Sequence, residues 1–139
     1  MKSSIYYFIQ LLLAISLCLA IGCSRKSEKA KNTFKPLEIS GGTLTANPNP
    51  IQVCDGSGNG VTTLTWTITK PTAKRVEVHV NSPDGPLLSH TLGPGSAKTG
   101  KWVADGAVFY LQDVTDKLPL VEDNTLAIVR VTLTTEGCR

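Results

Sequence analysis

The 139-residue chain contains two histidines, and both fall in one short stretch. Arg75-Val76-Glu77-Val78-His79-Val80 alternates polar residues with valine, so Arg75, Glu77 and His79 share the outward face of a strand while the valines point inward. Pro83-Asp84-Gly85 then turns the chain into the run Leu87–Leu92, which carries His90. With Asn81 opposite Pro86, Glu77 pairs with His90, and His79 sits diagonally beside them on the same face. A slip of one residue sends the histidines to opposite faces. In the first register one carboxylate and two imidazoles form a donor set for zinc or copper at three points. The competing reading is a polar outer face on which a carboxylate simply pairs with an imidazole. That second reading is the expected one, and no cofactor is expected.

Other reaction chemistry finds little to work with. There is no G-x-S-x-G elbow for a nucleophile. The glycine-rich stretch Gly56–Gly60 is not followed by Gly-Lys-Ser/Thr, so it is no phosphate loop. Asp105, Asp113, Asp116, Glu122 and Asp123 supply carboxylates, but their spacing favours solvated loops as readily as a catalytic pair. Asp55-Gly56-Ser57-Gly58-Asn59-Gly60 places oxygens at positions 1, 3 and 5 with glycine at 6, the opening of a calcium loop. Its twelfth position is Trp66, where a bidentate glutamate is needed, so an inter-strand loop is expected. Trp66 alternates with Leu64 and Ile68 and belongs in a core. Trp102, beside Lys101, is open to two readings, a stacking surface for a sugar ring or a cap over the core. No enzyme is expected.

Charge excludes a nucleic-acid binder. Residues 1–35 carry six Lys/Arg against Glu28, a net +5, whereas residues 36–139 carry eight Lys/Arg against ten Asp/Glu, a net −2. A protein that neutralises phosphates places its cations on the folded part.

The elements that hold these residues follow a period of two. Val61–Thr69 alternates threonine with Leu64, Trp66 and Ile68. Ala107–Val114 sets Val108, Tyr110 and Gln112 on one face and Phe109, Leu111 and Asp113 on the other. Leu126–Leu133 turns Ala127, Val129, Val131 and Leu133 inward. Shorter candidates are Thr43–Ala46, Ile51–Val53, Leu87–Leu92 and Lys101–Val103. The turn signals between them are residues 47–50, 56–60, 82–86 and 93–96, rich in Pro, Gly and Asn. No window reads as an amphipathic helix, and about seven strands in about 100 residues predict an all-β antiparallel sandwich.

The N-terminal segment has a different logic. Met1-Lys2 is a short positive start, and Ile5–Ile21 is apolar apart from Gln10 and Ser16, the layout of a secretory signal. Leu19-Ala20-Ile21-Gly22-Cys23 resembles the lipobox of bacterial lipoproteins. The resemblance implies cleavage before Cys23, a diacylglycerol thioether on that cysteine and an acyl group on the new amino terminus. It divides the chain into a signal peptide (1–22), a lipidated cysteine with a basic linker (23–36) and a folded domain (37–139). It also places the protein on a membrane of the cell envelope, at its periplasmic or extracellular face. Each buried methylene contributes about 0.8 kcal/mol, so two or three acyl chains on one residue hold the membrane firmly. With Cys18 removed in the signal and Cys23 used by lipid, Cys54 and Cys138 are the thiols left, and in an oxidising compartment they pair. Closing a loop of that length is worth about 4–5 kcal/mol in the chain-entropy model.

Thr63–Ile68, Val76–Val80 and Val108–Val114, followed by a long last strand, resemble an immunoglobulin-like or fibronectin type III module. The resemblance implies that Trp66 and Tyr110 pack across two sheets. It also implies a module that offers loops or a sheet face to an envelope protein or glycan, or that acts as a spacer. Cys54 precedes the tryptophan strand and Cys138 lies at the far end, so the bridge is expected to clamp the rim and not to pin the sheets through the core.

Overall fold

The computed structural model describes residues 39–139. The expected signal peptide (1–22) and the expected lipidated Cys23 and linker (23–36) lie outside the described residues. Those described contain no α-helix and no helix long and apolar enough to cross a membrane.

Eleven strands follow in order: β1 Gly42–Asn47, β2 Ile51–Gln52, β3 Asn59–Gly60, β4 Thr63–Ile68, β5 Val76–Val80, β6 Leu87–Thr91, β7 Gly95–Lys98, β8 Val103–Ala104, β9 Val108–Asp113, β10 Thr125–Arg130 and β11 Leu133–Thr134. Two 3-10 turns, Thr115–Lys117 and Glu122–Asn124, interrupt the link from β9 to β10. One antiparallel sheet has the order β1-β4-β7 and another the order β10-β9-β5-β6. Two short pairs complete the topology: β2 with β11 in parallel, and β3 with β8 antiparallel. None of the sheets closes into a barrel.

Alternation builds the core as expected. Leu44, Leu64 and Trp66 from the three-stranded sheet meet Val76, Val78, Val80, Phe109, Leu111 and Ala127 from the four-stranded sheet in one buried cluster. Val131 closes it at 0% exposure. Burying a side chain of this size is worth roughly 1.5–3 kcal/mol. The Trp66 indole N–H donates to Thr91 Oγ1 at 3.2 Å, so its polar edge is satisfied inside the core.

The structure departs from the expected strands at several places, among them β3 inside the stretch 56–60 expected as turn and the expected strand Leu126–Leu133 divided between β10 and β11. β7 begins at Gly95, inside a stretch expected as turn. A Cβ there would stand 2.7 Å from the Trp66 ring, so the strand under the tryptophan must be glycine and lacks the apolar alternation that marks a strand. A bulge between Thr125 and Ala127 shifts the register of β10 and adds Leu126 to the core at 2% exposure. Finally, the aromatic that β9 sends into the core is Phe109, at 0% exposure. Tyr110 faces the other way, opposite His79, and does not pack across the sheets against Trp66. The period-two pattern itself assigns it there.

Cys54 and Cys138 are joined, with a sequence separation of 84. The bridge flanks the β2–β11 ladder, where Ile51 N–H donates to Thr132 O and Val53 N–H to Thr134 O. It lies at the rim, as the positions of the two cysteines imply.

Candidate functional site

The outward face of the four-stranded sheet collects the polar groups that the strands bring into register. Glu77 is opposite His90 on β6 and opposite Gln112 on β9, and Gln112 is opposite Thr125 on β10. One polar row therefore crosses all four strands. His79 stands in the next row, opposite Tyr110. The expected pairing of Glu77 with His90 is present, and a bulge after Val78 then sets His79 against Leu87.

His79 is not the exposed residue that alternation predicts: it is 3% exposed. The 81–86 turn covers it, with the Gly85 carbonyl 2.7 Å from Nδ1. On the other side, Nε2 lies 2.9 Å from Glu77 Oε2. Both ring nitrogens are thus engaged by protein oxygens. His90 remains exposed, and among the described residues no three His, Cys, Asp or Glu side chains converge on one point that would hold a metal. The arrangement is the carboxylate–imidazole pair.

Gln112 and Asp113 are two further buried polar residues at the end of β9. The Gln112 carboxamide is 0% exposed; Nε2 donates to Thr125 Oγ1 at 2.6 Å, and Oε1 is unpaired. Asp113 is 1% exposed and accepts from Lys70 Nζ at 2.8 Å and from Thr115 N–H at 3.1 Å. Burial pushes the Asp113 carboxyl up, but the Lys70 and Thr115 hydrogen bonds push it down and prevail, leaving it below the ordinary carboxylate range. Thr115 Oγ1 in turn accepts from the Lys74 and Arg75 amides. The cluster fastens the β4–β5 crossover to the end of β9. The alternation with Phe109 and Leu111 is a sequence signal for the burial of Asp113, whereas nothing in the run marks Gln112 as buried.

The 55–60 loop is closed by its own atoms. Asp55 Oδ1 accepts from Ser57 N–H at 3.0 Å, Oδ2 pairs with Lys101, and Asn59 and Gly60 enter β3. The Lys101 ammonium, with help from Ser57, holds the Asp55 carboxyl well below the usual range. An open groove of about 720 Å³ runs beside this pair, between Pro48, Pro50 and Val61. Trp102 is 43% exposed and lies against Phe109, ring centroids 6.1 Å apart and tilted by 50°. It caps the core with one side and shows the other to solvent. Asp105 accepts from Leu133 N–H, a structural duty, and Glu122 and Asp123 line an open hollow of about 410 Å³ with Lys70.

Comparison with protein-family models, curated proteins and solved structures gives no match.

Proposed function

We propose that this chain is a lipid-anchored lipoprotein of a bacterial cell envelope that carries an immunoglobulin-like β-sandwich as a non-catalytic binding or spacer module. The observation that carries the reading is the Cys54–Cys138 bridge on a chain whose apolar leader ends in Leu-Ala-Ile-Gly-Cys. Such a bridge persists in an oxidising compartment, and export is what the leader supplies. The sandwich reading is supported by seven strands in two antiparallel sheets of three and four that share one core. The chain passes between these sheets three times, after β4, after β6 and between β7 and β9. The fourth of those strands, β6, pairs with β5; in constant-type antibody domains it joins the opposite sheet.

The non-catalytic reading is supported by what the buried polar groups already do. Asp113 and His79 bond strands and turns of the domain itself through half-buried Thr115 and the Gly85 carbonyl, and the Gln112 amide N–H does so through Thr125. Among the exposed apolar side chains, Leu87 at 56%, Leu92 at 75% and Trp102 at 43% are the contact points offered to an envelope protein or glycan.

The test is the intact mass of the mature protein from membranes, with thiol alkylation before and after reduction. The expected product begins at an acylated Cys23 and takes label at Cys54 and Cys138 after reduction alone. Cys23→Ser is expected to retain the leader and lose the acyl groups. A wild-type product with a bare Cys23, or with both domain thiols open to alkylation, overturns the reading.

A further inference from the structure

The β5–β6 hairpin is closed by a side chain as well as by its backbone. The turn bonds to itself through Gly85 N–H and Ser82 O at 3.1 Å and at its foot through Val80 N–H and Pro86 O at 3.0 Å. It packs so tightly that a Cβ on Gly85 would stand 2.0 Å from Val80 O. Its far limb is tied down to the strand by one more contact, Gly85 O to His79 Nδ1.

Proton counting makes this contact informative. A carbonyl oxygen only accepts, so Nδ1 must carry a hydrogen. An ionised carboxylate also only accepts, so Nε2, 2.9 Å from Glu77 Oε2, must carry one too. A neutral imidazole has a single N–H. Two acceptors, both facing a ring that is 3% exposed, therefore call for one proton more than a neutral histidine and an ionised glutamate bring.

We infer that the Glu77–His79 pair holds this extra proton in the folded domain and that the β5–β6 hairpin is a proton-dependent latch. With the proton in place, both contacts form and the turn lies closed on the sheet. Without it, the ring's single N–H goes to the ionised Glu77 carboxylate, the stronger acceptor, and a bare Nδ1 is left lone pair to lone pair with the Gly85 carbonyl, so the turn contact opens. The surroundings hold the charges in this order. Arg75 precedes β5 two residues before Glu77, His90 faces Glu77 from β6, Tyr110 faces His79 from β9, and Asp84 sits in the turn itself. Gln112, opposite Glu77 on β9, is neutral. The latch sits at the end of the sheet where Asn81 N–H bonds to Val108 O, so it sets how firmly the 81–86 loop is presented to a partner.

The test uses the full chain in detergent. Ring-nitrogen NMR at neutral pH is expected to show His79 protonated at both nitrogens, or bare at Nε2 with a protonated Glu77 carboxyl. A bare nitrogen beside an ionised Glu77 overturns the inference. Amide exchange is read at Val80 and Gly85 across neutral and alkaline pH, corrected for the intrinsic base catalysis of exchange. It is expected to accelerate by at least about tenfold as the proton leaves, the worth of one charge-assisted hydrogen bond. Glu77→Gln presents an amide N–H to a bare Nε2 and is expected to flatten that profile with the turn closed. A flat wild-type profile, or the same rise in both proteins, overturns the inference. If Glu77→Gln does not fold, the nitrogen signature of the wild type decides.

Discussion

Two lysine–aspartate pairs stand at opposite ends of the domain, alike in chemistry and unlike in setting. At the end where β1 begins, Lys70 meets Asp113, whose side chain is 1% exposed while the lysine is 39% exposed. At the rim beside the disulfide, Lys101 meets Asp55, with 57% and 50% of the two side chains open to water. Solvent screens the second pair, and holding two mobile side chains together costs about what the attraction returns. The first pair satisfies a carboxylate that has been taken out of water, so losing the lysine leaves a buried charge uncompensated. The Asp113 end is therefore held by a polar network and the rim by covalent chemistry. An ion pair supports structure in proportion to how far its acid is buried.

This contrast breaks most readily at the bridge. Cys138→Ser is expected to lose up to about 4–5 kcal/mol of stability, seen as a clear fall of the thermal midpoint under non-reducing conditions. An unchanged midpoint would show that the rim does not depend on covalent closure. Next comes Asp113→Ala, expected to cost about 3 kcal/mol in chemical denaturation, because Lys70 and the Thr115 amide lose the buried acceptor between them. Asp113 also gives a pH signature. Its folded carboxyl titrates below the unfolded one, so its contribution is fully present above the ordinary aspartate range and fades as pH falls through the folded value. Asp113→Asn should flatten this acid limb, and an unaltered limb would remove Asp113 from the account.

Gln112→Met keeps the volume, removes an unpaired buried oxygen together with one hydrogen bond, and is expected to shift stability by less than about 1 kcal/mol. A large loss would mean that the Gln112–Thr125 bond matters more than the orphaned acceptor costs. Smallest of all, Lys101→Ala is expected to leave the unfolding midpoint unchanged at physiological salt. A drop comparable to that of Asp113→Ala would abolish the distinction between the two ends.

The strands were legible because alternation is a two-state signal: the apolar residues of β4 and β5 say which side is inside, whereas β9 carries apolar residues on both faces and leaves its inner side open. The sequence left two registers open for β5 and β6; the one that sets Glu77 against His90 is present, but the bulge after Val78, which sets His79 against Leu87, has no signal in the turn residues. What alternation does not encode is what lies over an outward face. His79 reads as a solvent-facing residue and is buried because its own turn folds back onto it, a contact made by a backbone carbonyl that has no sequence signature. Gln112 on that outward face is buried against Thr125, 13 positions away, while Asp113 follows Phe109 and Leu111 inward and is matched by Lys70, 43 positions away. β7 was missed because its glycine is dictated by a tryptophan on the neighbouring strand, so the cause lies in another element. Leu126 was missed because a bulge cancels the period on which the reading relied.

The bridge also has a topological consequence. Residues 54 to 138 form a covalent ring that holds β3 through β11, while β1 and β2 stay outside it. β1 completes its sheet by pairing with β4 alone. The strand that covers the edge of β4 is therefore held by hydrogen bonds and by the burial of Leu44, and not by the covalent ring.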